Sequence, residues 1–181
     1  MTKRKHRVIF PPDDYWTHPP KENTMTANPA AGDCRRATAV VVHYGTNSSD
    51  GISEVFKESV EIGRVTELIL ALLDLFQNVV PQLLTDLGMA CISDALIDLA
   101  NDETADPRAL RASRLIIGHS HDDVDQINTV FAQAKEANQI TELILDVLHM
   151  YNTVAPCVFT PLGVSALQRS VMNFAAQEDA P

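Results

Sequence analysis

Two short stretches hold most of the side chains that could do chemistry. His119-Ser120-His121-Asp122-Asp123 places two imidazoles and two carboxylates within five residues. Glu142, Asp146 and His149 fall at helical spacing, so a helix would carry two carboxylates and an imidazole on one side. Both sets contain the oxygen and nitrogen donors that divalent metals take. A third acidic set, Glu54, Glu58 and Glu61, lines one side of an amphipathic stretch. Arg36 and Arg111, with Arg35, Arg108 and Arg114, could hold an anion, or the carboxylates of a partner, near the start of a helix.

Each metal-like set resembles part of a known arrangement and lacks the remainder. The His121-Asp122 doublet resembles that of the metal phosphohydrolases over five residues, but those enzymes need further ligands on other helices. His6, His18, His43 and His149 are the only other histidines. Asp146-x-x-His149 resembles the Glu-x-x-His of carboxylate-bridged metal bundles, which use two such pairs and two more glutamates. Only one pair is present. Glu58-x-x-Glu61 resembles half of the acidic motif that holds magnesium in all-helical nucleotide pyrophosphatases, without the downstream Glu-x-x-Asp. There is no glycine-rich phosphate loop, GxSxG, HExxH or zinc-type Cys/His spacing. No cofactor or metal is therefore expected. A helical metal-dependent hydrolase built on Glu142, Asp146 and His149, or on His119, His121 and Asp122, is the alternative function.

The elements that must position these groups follow from an internal repeat. Thr66-Glu67-Leu68-Ile69-Leu70 recurs as Thr141-Glu142-Leu143-Ile144-Leu145. At that offset of 75 (141 − 66), residues 36–88 align with 111–163 without a gap and give 18 identities in 53 columns. Chance from average composition would give roughly three or four. The period exceeds the ~20 to 50 residues of solenoids, so a small domain duplicated whole is expected, with pseudo-twofold symmetry. Arg36 and Arg111 are the basic residues that this offset superimposes.

Each copy reads as four helices. Asp106-Pro107 supplies an N-cap and an N1 proline for the first helix of the second copy. The matching helix of the first copy starts at Asp33 and carries Ala37, Val40, Val41 and Tyr44. Ala39 to Tyr44 alone looks strand-like because of its β-branched run; its helical partner argues for a helix. Second helices follow the polar turns at Asn47 to Asp50 and Ser120 to Asp123, with inward stripes Ile52, Val55, Phe56, Ser59 and Ile127, Val130, Phe131, Ala134. The third helices are apolar nearly all round and central, and Pro81 and Pro156 should end or kink them. Thr85 and Thr160 cap the fourth helices, whose predicted inward stripe in the first copy is Leu87, Gly88, Cys91, Ile92, Ala95, Leu96 and Leu99. Gly88 and Gly163 suggest a close helix crossing.

The 181 residues are 45% apolar with a net charge of −10, enough for a substantial core. Residues 34–181 hold nine basic and twenty acidic side chains, a balance of −11 that repels phosphate backbones and makes nucleic acid an unlikely partner. The most apolar run, Leu68 to Leu73, is too short for a membrane span. Lys3 to Arg7 is followed by only Val8-Ile9-Phe10 before Pro11-Pro12, too little for a secretory signal. Cys34, Cys91 and Cys157 are widely spaced and odd in number, which points to a reduced cytoplasmic setting and to burial in the core.

The expected organisation is an extended or disordered arm at 1–32, helical units at 33–103 and 104–176, and an acidic tail at 177–181. The expected function is that of a non-enzymatic protein-binding module, an adaptor, inhibitor or assembly factor. Its partner is another protein, a homo-oligomer being compatible, and its anchors are Phe10, Tyr15 and Trp16 of the arm with Arg36 and Arg111.

Overall fold

The computed structural model describes residues 31–178, the side chains of 170–178 excepted. Among the described residues the chain is all-helical, with no strand: α1 (Ala31–Gly45), α2 (Ser49–Glu61), α3 (Val65–Leu83), α4 (Asp86–Asn101), α5 (Pro107–Ser120), α6 (Val124–Glu136), α7 (Ile140–Val154), a 3-10 turn (Pro156–Phe159) and α8 (Pro161–Glu178). The strand-like Val40-Val41-Val42 is helical, and Val40 and Val41 are fully buried. Tertiary packing overrides their β propensity.

The helix ends are written in local chemistry. Asp106 accepts the backbone N–H groups of Arg108 and Ala109 ahead of Pro107, Ser48 accepts from Gly51, and Asp123 accepts from Gln126. The turns after α1, α2, α5 and α6 share one C-terminal geometry. Asn47, Gly63, Asp122 and Asn138 take positive φ, which Gly, Asn and Asp tolerate best. In each turn the next N–H reaches back five residues: Ser48 to His43, Arg64 to Ser59, Asp123 to Gly118 and Gln139 to Ala134. This is the Schellman bond that satisfies an orphan carbonyl.

One continuous apolar cluster runs through the protein. Leu68, Ile69, Leu72 and Phe76 of α3 and Leu143, Ile144 and Leu148 of α7 are all buried in it, each such side chain contributing about 1.5–3 kcal/mol when fully buried. α1 packs on α2 and α3, and α5 packs on α6 and α7. The fourth helices pack differently: α4 lies mainly against α5, and α8 against α1 and α3. Two prolines 75 positions apart have different effects. Pro81 sits inside α3, which runs on to Leu83. α7 ends at Val154, and Pro156 opens the 3-10 turn.

Three expectations about the fourth helices are corrected. The inward face of α4 is Met89, Leu96 and Ala100 with half-buried Ile92 and Leu99, while Leu87, Cys91 and Ala95 face outward. Docking on α5 selects that face, because α4 is apolar on both sides. Cys91 is accordingly exposed rather than a core residue, whereas Cys34 is buried. The glycines mark no helix crossing: a Cβ at Gly163 would strike the carbonyl oxygens of Val158 and Cys157 in the preceding turn, at 2.3 and 2.4 Å, and one at Gly88 would meet only ordinary contacts.

Among the described residues no helix is long and apolar enough to cross a membrane.

Candidate functional site

A carboxylate removed from water must be paired. Asp33, in the first turn of α1, is completely buried. Arg36, one turn on, donates from Nη2 at 2.6 Å, and Arg64, at the head of α3, donates from Nε and Nη2 at 3.0 and 2.6 Å to the two carboxylate oxygens. That bidentate fork is the strong arginine–carboxylate geometry. Hydrogen bonding and the charge of Asp33 hold the Arg64 guanidinium above its ordinary pKa. Arg36 spends its other terminal nitrogen on Glu58 of α2 at 3.1 Å. One cluster thereby joins α1, α2 and α3 with two positive and two negative charges.

A second cluster joins α5, the head of α7 and its second turn. Asp146 of α7 is 5% exposed and receives Arg108 Nε at 2.6 Å and Arg111 Nη2 at 2.5 Å, both from α5. Arg111 also donates to Gln139 at 2.8 Å. Bonding to Asp146 holds Arg108 above its ordinary pKa as well.

These clusters relocate the predicted site residues. Arg36 and Arg111, expected as partner-binding cations, are largely buried and committed to carboxylates within the fold; their Nε atoms are enclosed and unpaired. Glu142, Asp146 and His149 do not converge: Glu142 and His149 are exposed, while Asp146 lies beneath two arginines that occupy both its oxygens. The other metal candidate set is equally dispersed. His119 Nε2 meets Asp74 of α3 at 3.0 Å. His121 Nδ1 lies 3.0 Å from the Ile117 carbonyl oxygen. Asp122 is the left-handed residue of its turn, and Asp123 caps α6. Among the described residues no group of three or more His, Cys, Asp or Glu side chains could hold a metal ion. Phe10, Tyr15 and Trp16 lie outside the described residues.

Between the halves of the chain, Phe76 and Tyr151 stack with ring centroids 3.8 Å apart and planes at 22°. Burial pushes the Tyr151 phenol above its ordinary pKa. Where α3, α4 and α5 meet beside this stack, a cavity of about 30 Å³ lined by Met89, Leu96 and Ile116 has room for little more than a water molecule.

Two features lie at the described surface. The outer side of α4 presents exposed Leu87, Ala90, Cys91 and Ala95 among Asp86, Asp94 and Asp98, and Leu87 is 75% exposed. The second is a groove of about 640 Å³ between the α1–α2 turn and the end of α7. Its apolar lining includes Tyr44, Ile52, Leu145 and Phe159, and Asn47 and Asn152 are among its polar residues. The Tyr44 and Phe159 rings lie 5.3 Å apart at 54°. Burial raises the Tyr44 pKa above its ordinary value. Among the described residues no Asp, Glu, Lys, Arg or His side chain lines the groove.

Inspection of the sequence missed Asp33, Arg64 and Asp74 as partners. The available signal was the 75-residue offset, which sets Asp33 against Arg108, Arg64 against Gln139 and Ala71 against Asp146, three charge changes that balance only together. Comparison of the chain with family models, with curated proteins and with solved structures finds no match.

Proposed function

We propose that the chain is a non-enzymatic protein-binding module made of a four-helix unit repeated with pseudo-twofold symmetry. Phe76 and Tyr151 support the symmetry: they are 75 positions apart and stack on each other, and a residue meets its own counterpart only at a twofold axis. The four Schellman turns, paired at the same offset, support it further, as does the reciprocal packing of α4 on α5 and α8 on α1.

The observation that carries the binding function is the outer side of α4. Leu87, 75% exposed, heads an apolar strip with Ala90, Cys91 and Ala95, flanked by three aspartates with no basic residue anywhere in the helix. Apolar surface rimmed by one sign of charge suits a cationic amphipathic helix, whose leucine-like anchors seat on the strip while its lysines and arginines meet Asp86, Asp94 and Asp98. This reading uses the described body and moves the expected contact from Arg36 and Arg111 to α4.

Cys91 supplies the test. A maleimide photo-crosslinker attached there, in a Cys157→Ser chain, should give one discrete adduct in extract of the cells that make the protein. Excess unlabelled protein should abolish the adduct, and Leu87→Asp protein of equal helicity should not. Competition by both proteins alike, or by neither, would remove α4 from the function.

A further inference from the structure

The groove between the α1–α2 turn and α7 has a chemistry unlike the rest of this acidic protein. Residues 31–181 hold nine basic and twenty-one acidic side chains, yet among the described residues no charged side chain lines the groove. The tilted Tyr44 and Phe159 rings offer aromatic faces, and the Asn47 and Asn152 amides offer N–H donors. Aromatic faces with a few donors recognise an extended proline-rich segment: the rings pack against pyrrolidines, and the donors bind backbone carbonyls that such a segment leaves unpaired.

This chain carries such a segment. Residues 11–20 read Pro-Pro-Asp-Asp-Tyr-Trp-Thr-His-Pro-Pro, with four of its ten prolines and its only tryptophan. The geometry permits an intramolecular contact. The groove lies at the far end of α1 from Ala31, about 21 Å away at 1.5 Å per helical residue. The eleven steps from Pro20 to Ala31 span up to about 36 Å when extended.

We infer that the groove is the docking site for residues 11–20 of the same chain, with Trp16 against the Tyr44 and Phe159 rings. This inference is independent of the α4 surface.

Trp16, as the sole tryptophan, reports the contact in the intact protein. Its selectively excited emission should be blue-shifted and poorly quenched by acrylamide. Asn152→Arg and, separately, Ser49→Arg place a long charged side chain in the groove from exposed positions. Each should shift the emission to the red and raise the quenching constant at least twofold with helicity unchanged, while Leu87→Asp should leave both alone. Emission already typical of water-exposed tryptophan in the unmodified protein would overturn the inference, as would no response to either groove variant. Emission that moves with protein concentration would also overturn it, by assigning the groove to the arm of a second copy.

Discussion

The two buried ion clusters solve one problem with the charges placed differently. Around Arg36 the acid is on the first helix of the stretch, Asp33, and the second arginine is on the third, Arg64. Around Arg111, 75 positions later, the acid is on the third helix, Asp146, and the second arginine is on the first, Arg108. Arg108 occupies the place of Asp33, and Asp146 that of buried Ala71. Each guanidinium at the shared register thus grips a buried carboxylate from a different helix, Arg36 adding Glu58 of α2 and Arg111 adding the neutral Gln139. A similar exchange occurs in volume. A Cβ on Gly51 of α2 would come within 2.3 Å of the His43 ring of α1, whereas at the matching crossing Gly118 of α5 lies under Gln126 of α6. Large on one helix and small on the other is preserved, and the helices trade places. At the 75-residue offset the volumes of the glycine crossing are exchanged between two helices, and the charges of the clusters are rearranged over Asp33, Arg64 and Ala71 against Arg108, Gln139 and Asp146.

The largest effect should come from breaking the second cluster. Asp146→Ala strands Arg111 beside a neutral Gln139 and should cost about 3–5 kcal/mol in urea unfolding. The comparison is sharpened by moving the buried acid of the first cluster from α1 to α3. Asp33→Arg and Ala71→Asp should each cost at least about 3 kcal/mol alone, and the double variant should cost less than their sum by about 1–3 kcal/mol. Strict additivity would mean that the clusters are not interchangeable solutions.

The volume exchange predicts a smaller asymmetry. Gly51→Ala should destabilise by about 1–3 kcal/mol through overpacking against the His43 ring, and His43→Ala should relieve it. In Gly118→Ala the nearest atoms to the added Cβ belong to the Gln126 side chain, at 3.2–3.4 Å. The helix-propensity gain of about 1 kcal/mol should offset that contact. Equal losses at both glycines in thermal unfolding would break the comparison.

The Phe76 and Tyr151 stack differs by one titratable proton. Burial raises the Tyr151 pKa above its ordinary 10.0, so the folded state favours the neutral phenol. Its stability contribution is complete below that ordinary value and is lost as pH rises above it, by about 1.4 kcal/mol per pH unit. Urea midpoints at pH 9 and 11 should therefore fall further in the unmodified protein than in Tyr151→Phe, which makes both rings of the stack alike.

Much of the fold was legible residue by residue. Asp106-Pro107, Ser48 and Asp123 are local capping signals that need no tertiary partner. The long apolar runs around Leu68 to Leu73 and Leu143 to Leu148 can be satisfied only by central helices. The candidate sites were less legible. Asp146 and His149 are close in sequence, but a helix points one under α5 and the other into solvent. Asp33 and Arg64 are 31 positions apart and meet only because α1 packs on α3.

What the amino-acid order determined by itself was local: where helices start, where they stop, and which of them are too apolar to face water. That follows because capping, turn geometry and periodicity act within a few residues. The tertiary structure alone decided which side of α4 turns inward, since both sides are apolar and only docking on α5 separates them. It also decided that Arg36 and Arg111 are internal ties, because the sign of a charge is written in the chain and its partner is chosen by packing.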